Sequence, residues 1–251
     1  MDSFVPAFDP AFLAAVAIVF LAAATSGLAG FGFSIISVTP LLMFHDPGTV
    51  LAINKILTLG TTWIILIGIW QAISWTRLAR VVPFALVGLF AGVWVLKQLD
   101  SDTIRLIVAL MVMAFALILL SGIVRQLPDR PWMAPVTGLV SGISSTSTGM
   151  SGPPLVLYFT VIGLSVEVFR ATTVMYFILL DLVGFPTLIA QGLITREDVV
   201  LSLWLAPAAL LGRWVGSLLV PYVTPASFRR IVLGLLLATG GIAIINVLAI
   251  Q

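Results

Sequence analysis

Long apolar runs separated by very short polar connections fill almost the whole chain. They fall at residues 11–26, 33–44, 50–73, 79–98, 103–124, 132–143, 153–163, 166–191, 198–219 and 227–249. A helix needs about 20 residues to cross a hydrocarbon core of about 30 Å, and six of these runs are that long. The other four form two pairs, 11–26 with 33–44 and 132–143 with 153–163, each flanking a stretch rich in Gly and Ser. Each pair is either one broken helix, giving eight spans, or a V-shaped pair that enters and returns, giving ten segments. The pattern predicts an all-α polytopic membrane protein.

The two interruptions carry most of the functional information. One is Ser26-Gly-Leu-Ala-Gly-Phe-Gly-Phe-Ser34; the other is Ser141-Gly-Ile-Ser-Ser-Thr-Ser-Thr-Gly-Met-Ser-Gly-Pro-Pro-Leu155. Irregular backbone at membrane depth is tolerated only where protein or a water-filled cavity satisfies its polar groups. Two such breaks at matching places in two halves point to a transport site.

An internal repeat supports the matching. Ser26-Gly27 aligns with Ser141-Gly142, Pro40-Leu-Leu with Pro154-Leu-Val, and Lys55 with Arg170. Pro83, Gly88 and Gly92 align with Pro207, Gly212 and Gly216, and Asp102-Thr-Ile-Arg105 with Ala226-Ser-Phe-Arg229. The expectation is a duplication into repeats 1–126 and 127–251. With V-shaped pairs the halves are inverted, about five segments each. Arg77, Arg80, Arg125, Arg130, Arg229 and Arg230 then share one side, against Lys97, Arg105 and Arg196 on the other. By the positive-inside rule the first side is cytoplasmic, so both termini are external. The Gly88/Gly92 G-x-x-x-G spacing serves either the fold of one protomer or a homodimer.

Composition narrows the classes. The 251 residues are 61% hydrophobic and 9% charged, which fits no soluble domain. The net charge of +2 is spread over scattered residues, so no nucleic-acid partner is expected. With no Cys and a single His, His45, thiol chemistry and a His-built metal site are excluded. No G-x-x-x-x-G-K-[ST] occurs, which excludes ATP drive within this chain. The N-terminal apolar run lacks a basic n-region and reads as the first membrane helix. Gly149-Met-Ser-Gly152 matches the G-x-S-G of rhomboid-type serine proteases, but no His follows Ser151 to act as base. No catalytic residue and no cofactor are expected.

The candidate substrate-binding residues follow from the breaks. Ser144, Ser145, Thr146, Ser147, Thr148 and Ser151 offer hydroxyl donors, while Gly149 and Gly152 let backbone N–H groups approach a ligand. Pro153-Pro154 suits the first turn of a helix whose positive N-terminus faces the break. Such a site suits an oxyanion; the competing reading is close helix packing. Gly27, Gly30 and Gly32 add backbone donors or merely a kink. Lys55 and Arg170, with Asn54 beside the lysine, either hold the anion or snorkel to an interface. Asp181, the one acid well inside a span, is a proton-coupling candidate or a structural partner of Arg170 or Arg213. Arg213 itself reads equally as an interface anchor or a gate.

The opening break Ser26–Phe33 and the later Ser141-Gly-Ile-Ser-Ser…Gly149-Met-Ser-Gly-Pro-Pro-Leu-Val156, in a small duplicated chain, resemble the TauE/SafE family of bacterial sulfite and sulfonate exporters. The resemblance implies a multi-pass protein of the bacterial inner membrane whose partners are the lipid bilayer and a small anion such as sulfite or sulfoacetate. The combined expectation is a secondary transporter working by alternating access between two rocking halves, with a passive anion channel of the same architecture as the alternative.

Overall fold

The computed structural model describes residues 10–121 and 127–222. Among them every regular element is helical: α1 (Pro10–Ala29), α2 (Phe33–Leu41), α3 (Pro47–Thr61) continued by α4 (Trp63–Leu66), α5 (Trp75–Gln98), α6 (Ser101–Ser121), α7 (Met133–Ser147), α8 (Gly152–Val161), α9 (Val166–Ala190) and α10 (Arg196–Leu219). Five stretches are long and apolar enough to cross a membrane: α1, α3 with α4, α5, α9 and α10. The expected last span, 227–249, lies outside the described residues, as do Arg125, Arg229 and Arg230. Helices α2 and α8, of 9 and 10 residues, reach only about half a bilayer core at about 1.5 Å per residue.

Local signals set the ends. Thr195 accepts from the Asp198 N–H while the Asp198 carboxylate takes the Thr195 N–H, a capping box that starts α10. Asp100 plays a similar part before α6, where the Thr103 hydroxyl and N–H hold its carboxyl below the usual carboxylate range. Gly163 and Gly192, both with positive φ, close α8 and α9 in Schellman turns, Leu164 N–H reaching Phe159 O and Leu193 N–H reaching Leu188 O.

Packing runs through glycine. On the α1–α10 contact, a Cβ at Gly27, Gly212 or Gly216 would collide with the carbonyl oxygen of Arg213, Phe20 or Ala24. On the α5–α7 contact, a Cβ at Gly88, Gly92, Gly138 or Gly142 would strike the carbonyl of Leu139, Ile143, Val81 or Ala85. In lipid, where apolar surface gains nothing from leaving water, such backbone-to-backbone approach is what holds helices together. The Gly88/Gly92 pair is therefore spent on α7 of the same chain, which removes it as a dimer face.

The outward surface is apolar, with Leu13, Val87, Phe90 and Trp94 exposed, as lipid contact requires. Trp75, Trp132 and Tyr222 are exposed at element ends, where interfacial aromatics belong. Polar and charged groups also pair at the two ends of the helices. At one end Asp129 accepts Arg77 Nη1 at 3.1 Å and the Tyr158 hydroxyl at 2.9 Å, with Arg80 at 3.7 Å. At the other, Lys97 Nζ donates to Gln191 at 2.5 Å.

Candidate functional site

Both breaks open on one cavity of about 20 Å³, room for about one water. The first break supplies Ser26, Gly30, Phe31, Gly32, Phe33 and Ser34; the second supplies Gly149 and Ser151. Asn54, Lys55, Thr58 and Thr62 come from α3 and its end, Phe177 and Asp181 from α9, and Arg213 from α10. Each break turns on a left-handed glycine: Gly30 has φ 80°, Gly32 98° and Gly149 76°. Side chains with a Cβ resist this region, so glycine is what lets the chain leave one helix and start the next inside the cavity wall.

The breaks are shorter than the sequence reading had them. Helix α7 continues to Ser147, three residues past Ser144, where the hydroxyl-rich run begins. The reason is visible in the hydrogen bonds. Ser144, Ser147 and Thr148 donate to carbonyls four residues back, Val140, Ile143 and Ser144. A hydroxyl can be satisfied by its own helix without breaking it. Thr146 donates to Leu89 O on α5 at 2.7 Å, locking the α5–α7 contact. Ser145 is the exception: its hydroxyl faces Lys55. These five do not line the cavity; Ser151, Gly149, Gly30, Gly32, Asn54 and Lys55 do. Gly27 is buried against Arg213 backbone, and Gly152 opens α8 behind the cavity. Ser151 is held by an inner relay: Tyr176 OH donates to Ser141, which donates to Ser151 O at 2.6 Å.

Two of the charged residues have other partners than the sequence reading gave them. Lys55 Nζ lies 2.6 Å from Asp181 Oδ1 and 2.5 Å from Ser145 Oγ, all deeply buried. The partner of Asp181 is thus Lys55, not Arg170 or Arg213. Burying such a charge alone is costly, and pairing the two offsets part of that cost. Arg170 leaves the cavity altogether, since its Nη2 donates to Gly27 O at 3.1 Å, on the last turn of α1. The carbonyls there have no helical partner and sit at the negative end of the dipole, so a cation caps them.

Arg213 is the group whose role the sequence left open. It is 1% exposed, with Nη1 donating to Thr62 Oγ1 at 2.6 Å and its guanidinium 5.4 Å from the centre of the Phe33 ring. Its Nε and Nη2 have no hydrogen-bond partner. Among the described residues no carboxylate lies within 4.0 Å of it. Buried donors are almost always paired, so two idle ones on a permanent cation in a cavity wall mark a place for an acceptor. The signal was in the sequence: Arg213 sits between packing glycines Gly212 and Gly216, so its helix faces protein there. Thr58 and Thr62 were legible as a stripe with Lys55, at i, i+3 and i+7 on one face of an apolar helix.

The helix ends favour the same chemistry. Phe33 and Ser34, the first turn of α2, line the cavity, and the N–H groups before the Ile36-to-Gly32 bond lack a helical partner. Helix α8 offers fewer, because Pro153 and Pro154 have no N–H. Among the described residues no cluster of His, Cys, Asp or Glu is fit to hold a metal ion.

The chain is similar to known membrane exporters. The family model described as Sulfite exporter TauE/SafE matches residues 15–242. The probable sulfite/organosulfonate exporter TauE of Cupriavidus necator is 27% identical over 218 residues, 84% of each chain. No solved structure matches. The family is one of multi-pass exporters of the bacterial inner membrane, and the match over most of its length establishes that this chain belongs to the TauE/SafE sulfite exporter family.

Proposed function

We propose that this protein exports a small sulfur oxyanion, sulfite or a small organosulfonate, by alternately exposing the cavity between its two breaks to the two sides of the membrane. Arg213 carries the reading: a buried cation with two unpartnered donors in the cavity wall. The anion sits against Arg213 and the first turn of α2, with Ser34, Thr58 and Ser151 within the same wall and Lys55 behind them. Arg170 supports α1 and does not touch the ligand.

We extend this to architecture. Repeats 1–126 and 127–251 are inverted copies, with Arg77, Arg80 and Arg130 cytoplasmic and both termini external. Two observations support this. The glycine-lined contacts α1–α10 and α5–α7 each join one helix from either side of the boundary, as a two-fold relation between copies requires. Arg77 and Arg80 share Asp129, next to Arg130, while Lys97 reaches Gln191 in the loop that leads to Arg196.

The test is proteoliposome transport of labelled sulfite. Wild type shows uptake stimulated by sulfite trapped inside, and Arg213→Ala abolishes it. Uptake without such stimulation makes the protein a channel. Undiminished uptake by a folded Arg213→Ala protein removes the site.

A further inference from the structure

The cavity wall holds two full positive charges, Lys55 and Arg213, and one negative charge, Asp181. Lys55 and Asp181 are in contact at 2.6 Å, and the second partner of Lys55 is the neutral Ser145. Among the described residues no carboxylate lies within 4.0 Å of Arg213. Arg170 stands behind Gly30, outside the wall, and its charge is committed to the carbonyl end of α1 at Gly27 O. Among the described residues that line the wall, one uncompensated elementary charge remains.

From this count, and resting on the export reading above, we infer that the site selects monoanions and that Asp181 is the residue that sets this charge limit. A sulfonate or hydrogensulfite leaves the loaded site neutral. Sulfate, sulfoacetate or fully deprotonated sulfite would leave a surplus negative charge out of water, with no further cation among the described residues of the wall to meet it. Of the two forms of sulfite present near neutrality, hydrogensulfite is the one carried. Asp181 takes no part in holding the anion; its carboxylate occupies the lysine that would otherwise make the site doubly positive.

The groups facing Asp181 bear this out. Helix α3 presents Lys55 and α10 presents Arg213; α7 presents the Ser145 hydroxyl. Helix α5 brings Leu89 to this level, against Gly184. On α9 itself, Tyr176 is occupied with Ser141. Among the described residues that line the cavity, Asp181 is the one acid.

The experiment uses labelled methanesulfonate, a monoanion, and labelled sulfate, a dianion, neither of which titrates near neutrality. Counterflow is measured in proteoliposomes at several pH values. Wild type favours methanesulfonate by about a hundredfold or more, the effect expected of one uncompensated buried charge. Asp181→Asn raises the site to two charges and shifts the ratio toward sulfate by about tenfold or more. The double variant Lys55→Met with Asp181→Asn returns it to one charge and restores the preference for methanesulfonate. Because each result is a ratio, a poorly folding single variant leaves wild type and the double variant to decide. Equal wild-type flux of both anions overturns the inference. So does a double variant that keeps the single variant's preference. Wild-type sulfate flux that grows as pH falls overturns it too, because Asp181 would then be taking up a proton. Flux of neither anion in vesicles that do move labelled sulfite overturns the inference alone; absence of sulfite flux as well overturns the export reading itself.

Discussion

Arg170 and Gly27 stand 143 positions apart in sequence, yet the arginine Nη2 lies 3.1 Å from the glycine carbonyl oxygen. The arginine thereby closes the exposed end of α1, where the chain turns at Gly30 into the cavity. Its position beside the site is thus architectural. A Cβ on Gly30 would press on the Arg170 side chain, so the two residues fit each other closely.

Arg170→Ala is accordingly expected to lower stability by about 1–2 kcal/mol, the loss of one charge-assisted bond to a helix end. The apparent affinity for sulfite changes little. Thermal unfolding in detergent and transport kinetics on the same preparations separate the two effects.

Arg213 behaves in the opposite way. Arg213→Lys keeps the charge but loses the planar fork of donors, and is expected to weaken sulfite binding about tenfold to a hundredfold. Arg213→Ala abolishes transport. Ligand-induced shifts in melting temperature show whether binding, and not folding, has failed.

The two glycine-lined contacts predict a sharp contrast. Gly142→Ala and Gly216→Ala each drive a methyl into a neighbouring carbonyl, and overpacking of this kind costs about 1–3 kcal/mol or more. Gly60→Ala meets nothing within 4 Å and is expected to be neutral or slightly stabilising. Melting temperatures of the three variants check this.

Gly149→Ala tests the second break separately. There is space for a methyl, with Leu51 and Val38 side chains at 3.4 and 3.6 Å, but φ is 76°. The cost is therefore conformational, about 1–2 kcal/mol. The expected signature is lower stability together with a changed affinity, because Gly149 is part of the cavity wall.

A cycle that carries one monoanion and returns with its charge uncompensated is electrogenic. A potential of 100 mV is worth about 2.3 kcal/mol per charge, roughly a fiftyfold gradient of substrate. Proteoliposomes clamped with a potassium gradient and valinomycin, positive inside, should accumulate methanesulfonate accordingly. Accumulation that ignores the potential rules out single-charge movement.

Much of this was readable before any coordinates. Interruptions in apolar sequence are hard to hide, because Gly, Ser and Pro are costly inside a span; both were located, and Gly30, Gly149 and Lys55 were assigned to one site. The pairs Gly88/Gly92 and Gly212/Gly216 were matched as equivalents, and each pair does meet a neighbouring helix. The hydroxyls of Ser144 to Thr148 were misleading for a definite reason. A serine that serves a ligand and one that bonds its own helix look the same in sequence, and the geometry of the preceding turn decides. Arg170 and Arg213 were also indistinguishable by type. Which one meets the open end of a helix and which one meets a cavity depends on contacts across more than a hundred residues.

Because α1 grips α10 and α5 grips α7 backbone to backbone, each half of the chain has handed one of its long helices to the other. The boundary proposed between the two repeats is therefore bridged by two tight couples. On the export cycle proposed above, a swing that uncovers the cavity carries these couples as stiff arms and bends at Gly30 and Gly149, the left-handed glycines where α2 and α8 leave them.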